Sequence, residues 1–310
     1  MFSVKDKTFF NVSDYFDYMA ETLGQTPYHH FFKSEKVTSD GLKLHLDVYE
    51  HSKQAPTIVF IPGTAIYAMC YAEFMYKLGR AGYNVVGLDP RGHGQSEGVR
   101  GDYTMEELMR DVKHAIDFAL RRFSKKVSLV GSSQGGIVAL YTAAKDTRLN
   151  TVVCQNFADL TSQDTTQLTR HPRLFKYMRK LIGNADSLPN ASIPMSAYID
   201  LDSIKLKYFG SIRQFIDADP LAVKTISLRA LHSLGSTPMA VPMEEVKVPV
   251  FVFQGDADTI FPVAYTKKLY ERLTCEKEFV LFKGMGHALM SDNVDDILPE
   301  ILAWFREIYP

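Results

Sequence analysis

The run Val127-Ser128-Leu129-Val130-Gly131-Ser132-Ser133-Gln134-Gly135-Gly136-Ile137-Val138-Ala139-Leu140 constrains this chain more than any other stretch. Val127 to Val130 is short and apolar, as a strand buried on both faces of a sheet must be, and Ile137 to Ala144 is an alanine-rich run suited to a helix. Between them lies Gly131-x-Ser133-x-Gly135. A serine in so sharp a strand-to-helix turn needs neighbours without side chains, because a Cβ on either flank would meet the crossing chain. Such a turn lifts the Ser133 hydroxyl above the sheet at a helix N-terminus. Backbone N–H groups there face any negative charge that develops beside it. Ser132 is also a hydroxyl in the turn, but only Ser133 sits midway between Gly131 and Gly135.

At 310 residues and 46% hydrophobic content the chain can bury one α/β core with an insertion. The formal net charge is −1, from 35 basic and 36 acidic residues, so no global field recruits nucleic acid or an anionic membrane. Cys70, Cys154 and Cys275 are widely spaced with no C-x-x-C pair, which suits packing in a reducing compartment. Lys5, Asp6 and Lys7 interrupt the first ten residues where a signal peptide needs an apolar run, and no apolar run approaches the length of a membrane span. The expectation is a cytoplasmic protein with no stable membrane insertion and no metal or organic cofactor.

Asn11 to Leu23 reads as a helix capped by Ser13, with Phe16, Met19, Ala20 and Leu23 on the docking face. Val37 to Tyr49 alternates around Asp40-Gly41 as a hairpin, which predicts an antiparallel opening to the sheet. Buried strands are expected at Thr57–Ile61, Asn84–Leu88, Val127–Val130, Asn150–Cys154, Val248–Phe253 and Glu278–Phe282. Helices are expected near Tyr71–Ala81, from Thr104 with the Thr104-x-x-Glu107 capping box, at Val263–Leu273 and at Val294–Ile308. The strand-helix rhythm breaks between Gln155 and about Met243, where helical pieces are read at Pro172–Ile182, Ser203–Ile216 and Pro220–Leu234. An insertion that starts where a central strand has just ended reads as a cap over a pocket. Its aromatic and apolar residues, among them Phe175, Tyr177, Met178, Tyr198, Tyr208, Phe209 and Phe215, could bury an acyl chain. The domain plan is therefore an N-terminal extension (1–36), a core in two parts (37–155 and 244–310) and a helical cap (156–243).

Serine chemistry on an ester needs a base for the hydroxyl proton, a carboxylate to orient that base and donors for the tetrahedral oxyanion. His287 stands just past a strand in Lys283-Gly284-Met285-Gly286-His287-Ala288, where small neighbours leave the imidazole room to reach Ser133. Two acids compete in Gln254-Gly255-Asp256-Ala257-Asp258. Asp256 follows the turn glycine and can serve its own loop, whereas Asp258 stands further out before the next helix and is favoured as the partner of the base. The loop Pro62-Gly63-Thr64-Ala65 ends the first buried strand, beside the serine turn of a doubly wound sheet, so Thr64 is placed to donate a backbone N–H. His93, between two glycines and upstream of the serine, reads as a structural loop histidine, since enzymes with this serine motif take their base from the far end of the chain.

These segments, together with Asp89-Pro90-Arg91-Gly92-His93-Gly94-Gln95-Ser96-Glu97-Gly98-Val99-Arg100-Gly101, resemble the α/β-hydrolase superfamily. Within it, the R-G-H-G-x-S-x-G-x-R-G run is similar to the monoacylglycerol lipase and lysophospholipase group, also described as serine-aminopeptidase-like. The resemblance covers residues 37 to 155 and 245 to 310. It implies a mostly parallel doubly wound sheet with helices around it, Ser133 as nucleophile, Asp258 as acid, His287 as base, and an oxyanion hole from the N–H groups of Thr64 and Gln134. The family usually carries His-Gly where this chain has Pro62-Gly63. The reading is a carboxylic ester hydrolase acting on a small-molecule ester or acylglycerol. Amide or peptide hydrolysis, thioester cleavage and acyl transfer use the same triad. A non-enzymatic binding protein on this scaffold would commonly have lost a triad member, and none is missing here.

Overall fold

The Asp40-Gly41 pair turns as its residue types dictate: both take positive φ (49° and 83°), the geometry of a tight hairpin turn. It joins β1 (Lys33–Ser39) and β2 (Leu42–Tyr49), which pair antiparallel from Lys33 opposite Val48 to Ser39 opposite Leu42. Leu44, Leu46 and Val48 are fully buried on one face of that ladder. In the computed structural model, which describes residues 2–4, 7–9, 11–181 and 191–310, this hairpin is one edge of an eight-stranded sheet. The other strands are β3 (Thr57–Ile61), β4 (Asn84–Leu88), β5 (Val127–Ser132), β6 (Val152–Gln155), β7 (Val250–Gly255) and β8 (Lys277–Phe282).

Their order across the sheet is β1-β2-β4-β3-β5-β6-β7-β8, with β2 antiparallel to β4 and every pair from β4 to β8 parallel. The expected mostly parallel sheet with an antiparallel opening is what the chain forms. Residues of β3 to β7 are buried on both faces, which is why these strands read as continuous apolar runs without alternation. Several strand bounds differ from the sequence reading: β5 runs on to Ser132 and β7 to Gly255, β8 starts at Lys277, and the starts of β6 and β7 shift. Asn150 bonds the N–H of Val127 through its side chain and Thr151 bonds the carbonyl of Pro249, so β6 starts at Val152 and extends to Gln155. Pro249 has no N–H for the ladder, and β7 begins at Val250.

The helices longer than four residues are α1 (Val12–Leu23), α2 (Ala72–Arg80), α3 (Met105–Arg122), α4 (Gln134–Ala143), α5 (Pro172–Leu181), α6 (Ile212–Ala218), α7 (Leu228–Ser236), α8 (Val263–Arg272) and α9 (Val294–Ile308). The Thr104–Glu107 capping box forms in both directions at the start of α3. On α1 the cap is Asn11, whose side chain accepts from the N–H of Asp14, and not Ser13. The helix docks through buried Tyr15, packed with Tyr67 and Leu221, and the expected face of Phe16, Met19, Ala20 and Leu23 is partly buried beside it, with Phe16 and Met19 packed on the same cluster.

The chain between β6 and β7 leaves the sheet, as the broken rhythm predicts. It holds α5, α6, α7 and two short antiparallel ladders: Ser192–Pro194 with Thr225–Ser227, and Lys205–Leu206 with Gly210–Ser211. Those ladders replace the starts of the helices read at Ser203 and Pro220. Ile182, and the side chains of Met178 and Leu181, lie outside the described residues.

The loop after β4 ties the insertion to the core. Arg91 sends Nε and Nη2 to the two carboxylate oxygens of fully buried Asp111 (2.9 and 2.6 Å), fixing the loop's base. At its far end the Arg100 guanidinium donates to the carbonyl of Leu221 (2.7 Å), and the carbonyl of Gly101 accepts from the N–H of Ser227 (2.9 Å). Gly101 has φ 74°, and a Cβ there would strike the carbonyl of Thr225. The second Arg-Gly of the sequence run is therefore the clasp for the inserted strand.

Candidate active site

Register puts the loops of interest on one edge. Ile61 lies opposite Gly131, Ser132 opposite Gln155, and Phe253 opposite Gln155, so β3, β5 and β6 end within about a residue of one level and β7 runs on to Gly255. The segments that follow, Pro62–Thr64, Ser133, and Asp256–Asp258, therefore emerge together at the carboxyl edge, where sites form in such sheets.

Ser133 joins β5 to α4 with φ 54° and ψ −118°, a conformation that costs a non-glycine residue about 1–3 kcal/mol. Close packing holds it there. A Cβ on Gly131 would overlap the carbonyl of Gly135, and one on Gly135 would overlap those of Ile61 and Pro62. The N–H of Ser133 donates to the carbonyl of Gln155 (2.8 Å). The N–H of Gln134, in the first turn of α4, has no acceptor within its own helix. The Gln134 amide oxygen accepts from the Thr64 hydroxyl (2.7 Å), which pins the loop after β3 to the serine turn.

Asp258 and His287 meet across two loops. His287 Nδ1 lies 2.8 Å from Asp258 Oδ2, with the Asp258 side chain wholly buried and that of His287 10% exposed. The other carboxylate oxygen accepts from the N–H groups of Ile260 (2.8 Å) and Phe261 (2.9 Å). Burial pushes this carboxyl up, but the facing imidazole and the two backbone donors outweigh it and hold it below the ordinary carboxylate range. Phe261 lies parallel to the imidazole, with ring centroids 5.8 Å apart.

The competing residues are engaged elsewhere. Asp256 accepts from the N–H of Gly284 (2.6 Å), bracing the loop that carries His287. Ser132 is buried, accepting from the Tyr71 hydroxyl (3.1 Å) and donating to Gln155 Oε1 (3.2 Å). His93 is buried, its Nδ1 2.9 Å from the carbonyl of Arg91, and burial pushes its pKa down to about 4. It is a neutral loop histidine, as its place between two glycines suggests.

Sequence reasoning missed Gln155 and Tyr71. Gln155 stands one residue past the expected strand end and bridges both loops: its Oε1 takes the Ser132 hydroxyl and its Nε2 donates to the carbonyl of His287 (2.6 Å). Tyr71 accepts from the N–H of Gly63 (3.2 Å) while holding Ser132, linking the loop after β3 to the strand beneath Ser133. The only signal for Gln155 was a polar residue at the end of an otherwise apolar strand.

Ser133, His287, Gly63 and Thr64 line one cleft that holds about 550 Å³ of space, part of it open to solvent. Its far wall is aliphatic, with Ile199, Leu201, Ile204, Leu206 and Ile212 from the insertion. The aromatic residues expected in that role lie elsewhere. Phe175 and Tyr198 pack on each other with ring centroids 5.6 Å apart, and Tyr208, Phe209 and Phe215 line an outer chamber of about 720 Å³. Ile66, Tyr71, Leu206, Ile212, Met290 and Ser291 border both spaces.

The profile of the family described as serine aminopeptidase, S33, matches residues 52–294. The chain belongs to that family. It is an α/β-hydrolase of the monoacylglycerol lipase-like group, with lipase- and esterase-like relatives. It is 24% identical over 274 residues to a monoacylglycerol lipase of Mycolicibacterium smegmatis, an alignment covering 85% of this chain and 93% of the relative. It is 34% identical over 113 residues to the mouse serine hydrolase BPHL, but that alignment spans 36% of this chain and only 38% of the relative. Among solved structures, a soluble variant of the Saccharomyces cerevisiae monoglyceride lipase in complex with a substrate analog superposes with a TM-score of 0.73 at 18% identity, over 90% of this chain and 96% of that one. That likeness is one of fold. Among the described residues no helix is long and apolar enough to cross a membrane.

Proposed function

We propose that this hydrolase cleaves carboxylic esters of apolar acyl groups through an acyl-enzyme on Ser133. His287 takes the hydroxyl proton on Nε2 as the Ser133 oxygen attacks the ester carbonyl. Asp258, bonded to Nδ1, keeps the proton on that nitrogen, leaves Nε2 free to accept and stabilises the imidazolium that forms. The negative oxygen of the tetrahedral intermediate is held by the N–H groups of Gln134 and Thr64. Collapse of the intermediate expels the alcohol, which receives its proton from His287. Water then attacks the acyl-enzyme by the same steps and returns the hydroxyl to Ser133.

The observation that carries this reading is the His287–Asp258 pair, 2.8 Å apart with the second carboxylate oxygen locked by two backbone donors, facing the cavity that Ser133 lines. The segment 156–243 acts as the cap, and its aliphatic wall takes the acyl chain. A small, neutral ester suits a site whose insertion side offers no charge to pair with. The test is a panel of matched ester, thioester, anilide and monoacylglycerol substrates, run with wild type and Ser133→Ala. Fastest turnover of the oxygen esters, abolished by Ser133→Ala, is expected. A faster thioester or anilide, still dependent on Ser133, would keep the nucleophile and replace the substrate class.

A further inference from the structure

The N-terminal extension carries a group of ligands that the hydrolase chemistry does not use. Asp17 on α1 faces His29 and His30 in the single 3-10 turn Tyr28–Phe31, and one ligand atom from each lies within 4.8 Å of the others. His30 Nε2 is 2.8 Å from Asp17 Oδ1, a hydrogen bond, while His29 Nε2 is 3.4 Å from the same oxygen. The His29 side chain is only 8% exposed, and its Nε2 is buried with no hydrogen-bond partner. Such an orphaned buried nitrogen is destabilising unless something binds it.

From these contacts we infer a site for a divalent transition-metal ion of the zinc class, ligated by Asp17, His29 and His30. A tetrahedral ion with bonds of about 2.0–2.1 Å keeps its ligand atoms about 3.3 Å apart, close to the 3.4 Å between His29 Nε2 and Asp17 Oδ1. His30 Nε2 has only to withdraw by about half an ångström and carry its proton on Nδ1 instead. Two imidazoles and one carboxylate suit zinc, cobalt, nickel or copper over calcium or magnesium, which prefer oxygen ligands. Asp17 and His30 are half exposed, which gives the ion a way in and leaves a position for water.

The ion staples the loop between Asp17 and His29. That loop matters to the site, because Leu23 and Gln25 form one wall of the outer chamber. This role does not rest on the proposed reaction.

The experiment titrates Zn²⁺ calorimetrically into the full chain with any affinity tag removed, and uses Co²⁺ as a visible-absorption probe. One ion per chain is expected. Asp17→Asn and His30→Ala should each weaken binding at least about tenfold, while His171→Ala, at an exposed histidine outside the group, should not. Melting in EDTA shows whether each variant folds, and Zn²⁺ should raise the melting temperature of the wild type but not of Asp17→Asn. Absence of saturable binding by the wild type, or equal binding by folded Asp17→Asn and His30→Ala, overturns the site.

Discussion

Replacing Asp258 by Asn separates the two acids of the Gly255–Asp258 loop. The amide has the size of the carboxylate, and its oxygen can still accept from Ile260 and Phe261. Its NH₂ then faces His287 Nδ1, 2.8 Å away, and donates to it. The imidazole must carry its proton on Nε2, the atom that has to accept from Ser133. The same exchange in a serine protease lowers kcat about 10⁴-fold, about 5.4 kcal/mol at 1.36 kcal/mol per decade. Asp256→Asn keeps an acceptor for the N–H of Gly284 and loses only its charge, which costs about 1 kcal/mol of stability. Its kcat should stay within about tenfold of wild type, since it touches neither the base nor the serine.

Stability supplies a second reading of the same pair. The Asp258 carboxyl is held below its unfolded value of about 3.9, so its pairing contributes stability above pH ~4 and loses it as pH falls further. The advantage of wild type over Asp258→Asn in urea unfolding should therefore shrink in acid. The assay is initial-rate hydrolysis of a p-nitrophenyl ester with urea melts alongside. A folded Asp258→Asn enzyme within tenfold of wild type, or an Asp256→Asn enzyme slower than it, would refute the reasoning.

Three further outcomes follow from the packing. Across p-nitrophenyl esters from acetate to palmitate, kcat/KM should rise about fourfold per CH₂, from about 0.8 kcal/mol each, until the cavity is full; a steady fall from acetate onward rules out a long acyl site. Arg91→Met strands the buried Asp111 carboxylate and should cost about 3–5 kcal/mol in urea unfolding, part of which Arg91→Met/Asp111→Leu should recover. Gly101→Ala, at φ 74° against the carbonyl of Thr225, should destabilise by about 1–3 kcal/mol and expose the inserted segment to protease; an unchanged melt and digest contradict its role as clasp.

What the sequence could tell depended on the range of the interaction. The serine turn was legible because Gly131 and Gly135 are local consequences of a crossing that forbids a Cβ. The sheet was legible because β3 to β7 are apolar on both faces, and the capping box because its residues are three apart. The alignment of Asp258 with His287 followed from order along the chain. Contacts that close over large separations carried no local signal: Gln155 to His287, Arg100 to Leu221, and the Tyr67 hydroxyl to buried Asp219 (2.7 Å). The insertion was read as aromatic because its composition is; the insertion residues that line the cavity with Ser133 are instead spaced aliphatics on short ladders and loops, where no period marks them.

The most direct test of the account is covalent labelling by a fluorophosphonate, read as intact mass and mapped to a peptide. The account predicts one adduct on Ser133, no labelling of Ser133→Ala, and labelling retained in Ser132→Ala. An adduct mapped to another residue, or Ser133→Ala labelled at the wild-type rate, would contradict it.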